Sequence, residues 1–136
     1  MIEIRSIEAE DTLAIRHEVM WPDQPLDYVK LPDDEKGLHY GLFYEGELIT
    51  VVSLFLDRES AQFRKLATLQ HYQGKGYGSR LLTHVFEQAK AMGVQLLWCN
   101  ARQHKTDFYK RFGMLETAKT FTKGGIAYVV MSSTFQ

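Results

Sequence analysis

The sequence predicts an α+β fold: a twisted mixed sheet of six or seven strands with about four helices on both faces. Three observations carry this. Strand-length apolar runs and helical segments follow one another as β-α, then three strands, then α-β-α-β-β. Gly76 to Met92 repeats an apolar residue every fourth position (Tyr77, Leu81, Val85, Ala89), with Leu82, Phe86 and Met92 widening the stripe, as an amphipathic helix laid on a sheet requires. The chain has 136 residues, 45% of them hydrophobic and 24% charged, which is enough for a core without disulfides or metal. A single domain over residues 1–136 is expected.

Taken in order, Ile2, Ile4 and Ile7 mark a short opening strand. Asp11 or Thr12 can cap a helix to about Met20, with Leu13, Val19 and Met20 apolar and Pro22 as its stop. Trp21 to Gly37 holds all three prolines, Pro22, Pro25 and Pro32, and reads as an irregular loop with one short helical turn. Leu38 to Tyr44 and Leu48 to Leu56 form a hairpin around Gly46, supported by the β-branched run Ile49-Thr50-Val51-Val52. Ala61 to Leu69 is another strand. After the helix, Gly93 closes it. Val94 to Cys99 reads as a strand buried on both sides. Thr106 to Phe112 is a short helix ending at Gly113. Leu115 to Phe121 and Ile126 to Met131 are two last strands joined through Lys123-Gly124-Gly125.

Charge and cysteine usage remove several function classes. The net charge of -1 lacks the basic excess of a nucleic-acid binder. One cysteine, Cys99, excludes an internal disulfide framework and a cysteine-clustered zinc site, so no metal is expected. The N-terminal residues carry charges where a signal peptide has an apolar run, and no window reaches the roughly 18 apolar residues of a spanning helix. A reduced, cytoplasmic protein with no membrane partner is expected.

The chemistry concentrates in Gln73-Gly74-Lys75-Gly76-Tyr77-Gly78-Ser79, between a strand and the strongest helix. Alternating glycines let backbone approach a ligand, and the free N–H groups of a helix start suit a phosphate or pyrophosphate. The Walker pattern fails because Gly76 follows Lys75. The dinucleotide pattern fails because its last glycine would fall on Ser79 or Leu81.

Gln73-x-x-Gly76-x-Gly78 resembles the Gln/Arg-x-x-Gly-x-Gly/Ala signature of the GNAT N-acetyltransferases, whose loop wraps the pyrophosphate of acetyl-coenzyme A. Leu66-Ala67-Thr68 is similar to the strand end whose backbone bonds the pantetheine arm. Asn100-Ala101-Arg102 followed by Phe108-Tyr109-Lys110-Arg111-Phe112-Gly113 is similar to that family's second block. The resemblance implies an acyl-CoA N-acyltransferase fold and acetyl-CoA as co-substrate. It also implies a cofactor site of Leu66, Ala67, Thr68, Gln73, Gly74, Lys75, Gly76, Tyr77, Gly78, Ser79 and Asn100. Many relatives carry Asn seven residues before the tyrosine; here that position is Arg102, and Asn100 is nearby.

Acetyl transfer to an amine needs a polarised thioester carbonyl, which backbone N–H groups near Thr68 and Leu69 could supply. It needs a proton for the departing thiolate, and the resemblance makes Tyr109 that donor; from its neighbours Phe108 and Phe112 alone it reads as an ordinary core aromatic. Glu59, His39, His71, His104 and Glu116 are candidate bases, none distinguished. Cys99 reads as a buried strand residue. Asp33-Asp34-Glu35 either attracts a cationic amine or is a solvated loop. The expected acceptor is a small-molecule or peptide amine, with a homodimer left open. The rival reading keeps acyl-CoA binding without catalysis, as a sensor or assembly module.

Overall fold

A computed structural model describes residues 1–135. Its strands are β1 (Ile2–Ile7), β2 (Leu38–Tyr44), β3 (Glu47–Asp57), β4 (Ser60–Thr68), β5 (Leu96–Arg102), β6 (Leu115–Lys123) and β7 (Ile126–Thr134); its helices are α1 (Leu13–Met20), α2 (Tyr77–Ala91) and α3 (Thr106–Lys110). They form one seven-stranded sheet in the order β1-β2-β3-β4-β5-β7-β6. Among the described residues there are three α-helices, where the sequence predicts about four. The remaining helical pieces, in the proline-bearing loop and elsewhere, are single 3-10 turns.

Every neighbouring pair is antiparallel except β4 and β5, which are joined through the α2 crossover. That parallel contact is short: Ser60–Leu96, Ala61–Leu97 and Gln62–Trp98. Beyond Gln62 the strands diverge. In the same stretch β4 breaks register with β3, and Lys65 takes a left-handed φ of 60°. A cleft opens between the C-terminal halves of β4 and β5.

The core lies under α2. Leu81, Leu82, Val85 and Ala89 are fully buried, against Leu54, Phe63, Leu97, Cys99 and Met131 of the sheet. The four-residue repeat is thus the buried face of α2. On the opposite face, α1 covers only the β3–β4 region through Ile15, Val51 and Ala67. This corrects the expectation of a strand buried on both sides at residues 94–99. The strand begins at Leu96, and it alternates between buried Leu97, Cys99 and Ala101 and less buried Trp98, Asn100 and Arg102, because α1 does not reach it.

Under α1 sits a fully buried arginine. Arg16 donates to both carboxylate oxygens of Asp34 (2.9 and 3.0 Å), to the Val29 carbonyl (3.1 Å) and to Ser53 Oγ (2.9 Å). His39 Nε2 lies 2.8 Å from the Asp34 carbonyl, so it must donate there, leaving Nδ1 to accept from Ser53 Oγ at 2.7 Å when the ring is neutral. One network therefore ties α1, the 21–37 loop, β2 and β3 together. Burial pushes the Asp34 carboxyl up, but the Arg16 guanidinium and the Leu31 N–H outweigh it and hold its pKa below the usual carboxylate value.

Breaking this pair leaves a buried charge uncompensated, so Asp34→Ala should lower unfolding free energy by about 3–5 kcal/mol in urea titrations at neutral pH. Because the folded-state pKa is depressed, the stabilisation is complete above the unfolded value of about 3.9 and fades as pH falls through the folded value. The gap between wild type and Asp34→Asn should therefore narrow below about pH 4.

Candidate active site

β4, the loop after it and the start of α2 build one wall of the cleft. Leu69 N–H donates to the Ile49 carbonyl at 2.9 Å, which turns it toward β3. Alternation along the strand then turns the Thr68 N–H the other way, toward the cleft. Of the two amides expected near the thioester, that of Thr68 faces the cleft and that of Leu69 is spent on β3. Leu66 is half-buried against the α2 core, Ala67 is buried toward α1, and Thr68 Oγ1 accepts from Thr50 Oγ1 at 3.2 Å.

The glycine loop follows. Gln73 Nε2 donates to the Thr68 carbonyl at 2.8 Å, so this side chain fixes the loop to the end of β4. Gly74 and Gly76 have φ of 78° and 88°, conformations that L side chains rarely adopt, and a Cβ at either would meet nothing within 4 Å. Gly76 is the N-cap of α2, and no side chain caps the helix. The first helical bond is Arg80 N–H to the Gly76 carbonyl at 3.1 Å. The N–H groups of Tyr77, Gly78 and Ser79 therefore precede the helical ladder, at the positive end of a 15-residue helix. Lys75 is exposed beside them. At Gly78 a Cβ would come 3.6 Å from Thr68 Oγ1, an ordinary contact, so the fold itself does not demand glycine there. These exposed amides and missing side chains fit a pyrophosphate.

Tyr109 comes to the cleft from α3. Its ring stands 5.8 Å from Phe63 of β4 and 5.1 Å from Phe108. Burial pushes the Tyr109 phenol well above its ordinary pKa, the nearby Cys99 adds to the rise, and Arg102 opposes it. The phenol is thus neutral throughout the physiological range. Its hydroxyl is not among the sealed, partnerless polar atoms of the described residues, of which Arg16 Nε is the one example. Burial also pushes the Cys99 thiol up to about 12, which keeps it protonated and inert, as its reading as a buried strand residue requires.

The acetyltransferase (GNAT) family model matches residues 2–114. The chain belongs to the GNAT acetyltransferases. It is accordingly an acetyl-CoA-dependent acyltransferase with the acyl-CoA N-acyltransferase fold. A GNAT relative, the N-acetyltransferase YitI of Bacillus subtilis, is 34% identical over 146 residues, covering 100% of this chain and 98% of its own. A crystal structure of an N-acetyltransferase from Lactobacillus plantarum superposes with a TM-score of 0.86 at 22% identity, covering 98% of this chain and 97% of that one. A Bacillus subtilis acetyltransferase in complex with CoA gives 0.75 at 19% identity, covering 99% and 98%. No helix of the described residues of this GNAT chain is long and apolar enough to cross a membrane, and they contain no group of metal-ligating side chains.

The remaining site expectations separate. Asn100 is exposed on β5, on the face turned from α2, and is not brought to the glycine loop. His39 is locked in the Arg16–Asp34 network. Glu116 pairs with Lys110 at 2.9 Å. Glu59 lies in the turn at the far end of β4, and His104 is exposed in a turn after β5. His71 is exposed and borders an open groove of about 520 Å³ with Glu18, Glu47 and Gln70. The acidic loop is neither a solvated run nor a free cation trap. Asp34 is consumed by Arg16, Asp33 pairs with Arg64 at 3.1 Å, and of the three only Glu35 is exposed with no ion pair to a described residue. Sequence reasoning missed Arg16, whose burial depends on partners 18 and 37 residues away.

Gly78 gives the cleanest test of the cofactor wall. Gly78→Val should leave the melting temperature of the free protein nearly unchanged, since its backbone is unstrained. It should weaken acetyl-CoA binding by about tenfold or more in calorimetry, by filling the space above the helix start. Unaltered affinity in the folded variant would remove the loop from the cofactor site. Gly76→Val should lose stability as well, because of its left-handed φ.

Proposed function

We propose that this enzyme moves an acetyl group from acetyl-CoA to a primary amine by direct attack, with Tyr109 as proton donor to the departing thiolate. The observation that carries the reading is the position of Tyr109: its ring is half-buried, 5.8 Å from Phe63 where β4 leaves β5, and its phenol is held neutral. The amine nitrogen forms a bond to the acetyl carbon, the carbon–sulfur bond breaks, and the ammonium proton leaves to water. The Thr68 N–H, turned to the cleft, is available to the carbonyl oxygen as charge develops on it. The wall of Leu66, Ala67, Thr68, Gly74, Lys75, Gly76, Tyr77, Gly78 and Ser79 would hold the CoA arm and pyrophosphate, with Gln73 positioning that wall through the Thr68 carbonyl.

A thiol of pKa about 8.5 is a stronger acid than a phenol raised above 10. Complete transfer from Tyr109 to a free thiolate is therefore uphill, and the donor acts by hydrogen bonding as the thiolate forms, with the proton following as solvent restores the phenol. Tyr109→Phe keeps the ring and should leave stability and acetyl-CoA affinity nearly unchanged. Its kcat should fall by roughly 10²–10⁴-fold in single-turnover thiol release. The raised phenol gives a second readout: the folded state retains a proton that the unfolded state releases near pH 10, so wild-type stability should fall as pH rises through that region, and Tyr109→Phe should fall less. A full single-turnover rate in the variant at every pH would reduce Tyr109 to a core aromatic. Acetyl-CoA binding without thiol release across an amine library would favour the sensor reading.

A further inference from the structure

The two faces of the cleft differ in charge. Along β5, Leu97, Cys99 and Ala101 enter the core beneath α2, so alternation turns Arg102 to the opposite face. In β7, Val129 and Met131 are core residues, which puts Tyr128 on that same opposite face. The register aligns Arg102 with Tyr128 and Tyr128 with Phe121; the last two rings are stacked at 5.0 Å and 14°. Lys123, two residues after Phe121, shares its face at the end of β6. Across the cleft, Lys65 sits on the β4 irregularity with φ of 60°, a conformation that a non-glycine residue rarely adopts.

β4 neighbours β5 in the sheet, and the register sets Arg102 and Lys123 on one face of β5 and β6. Burial and then the charges of Arg16, Lys123, Arg102 and Arg64 hold the Lys65 ammonium below the ordinary lysine pKa. Two of the five are neutralised, Arg16 by Asp34 and Arg64 by Asp33. Lys65, Arg102 and Lys123 make no ion pair among the described residues. Three strands thus bring three unpaired cations to one open cleft, on the face opposite α2 and its glycine loop. Asp34 and Asp33 are already spent on Arg16 and Arg64, and Glu116 of β6 on Lys110.

Taking the acetyltransferase reading as its basis, we propose that Lys65, Arg102 and Lys123 bind a compact anionic group, carboxylate or phosphate, carried by the acceptor amine. The acceptor is then an amine that is also an acid, such as an amino acid, an acidic peptide end or a phosphorylated amino sugar, and not a polyamine. Like charges at this spacing repel, and an anion between them relieves that repulsion while fixing the amine at a set distance from the thioester.

The test measures anion binding apart from catalysis. Protein saturated with CoA, so that its phosphate sites are filled, is titrated with inorganic phosphate and with succinate in a calorimeter. Wild type should bind at least one probe with a millimolar Kd, and the preferred probe distinguishes phosphate-bearing from carboxylate-bearing acceptors. Arg102→Gln and Lys123→Gln should each weaken that binding about tenfold, with Kd for CoA unchanged. Lys123 is exposed, so its variant is expected to fold. With an acceptor in hand, both variants should raise KM for the anionic amine, an effect that shrinks with salt, and Lys123→Gln should spare kcat. No binding by wild type up to about 50 mM, binding unchanged in both variants, or a loss of CoA affinity in them would overturn the proposal. Failure of the protein to bind CoA at all would instead overturn the acetyltransferase reading beneath it.

Discussion

β4 and β5 run parallel for three residue pairs and then part. Most of the site depends on that divergence. A parallel pair joined by a helix puts the C-terminal ends of both strands, and the start of the helix, at one end of the sheet. Had the ladder continued, the Thr68 amide would be spent on β5. Because it stops at Gln62, one strand edge, one uncapped helix start and one half-buried tyrosine face the same opening.

The two faces of the sheet are built differently. Under α2 the contacts are apolar and continuous from β2 to β7. Under α1 they narrow to Ile15, Val51 and Ala67 around a buried ion pair, and β5, β6 and β7 are left uncovered. A buried ion pair stabilises little compared with apolar packing. What the Arg16 network contributes is position: it holds a proline-rich loop with little secondary structure against β3, beside the cleft.

Local signals were legible in the sequence and long-range ones were not. The α2 stripe, the glycine loop and the Glu45-Gly46 hairpin each declare themselves within a few residues, and each is where it was expected. The succession of strands and helices along the chain could be read for the same reason; the placing of β7 between β5 and β6 could not. Asp34 could not be read correctly, because its partner is 18 residues away on an element whose arginine looks like any solvated helix residue. The one-sided burial of β5 depends on how far α1 extends, which no residue of β5 encodes. The Lys65 bulge carries no glycine to announce it. Leu69 and Thr68 look equivalent in sequence, and only the bond from Leu69 to Ile49 decides which amide faces the cleft.

All nine residues of β6 are exposed, and the strand lies at the end of the sheet with only β7 beside it. Its attachment is a backbone ladder interrupted between Glu116 and Thr120, one aromatic stack, the bond from Thr117 Oγ1 to the Val130 carbonyl and the exposed Glu116–Lys110 pair. None of the fully buried side chains of the core comes from it. β6 can therefore fray from β7 without disturbing the α2 core, in an opening far less costly than global unfolding. The end of the sheet that carries Lys123 is thus its most easily detached part, while β4 and α2 are anchored in the most stable part. Amide exchange along this chain would be graded accordingly: fastest along β6, and slowest where β4 lies beneath α2.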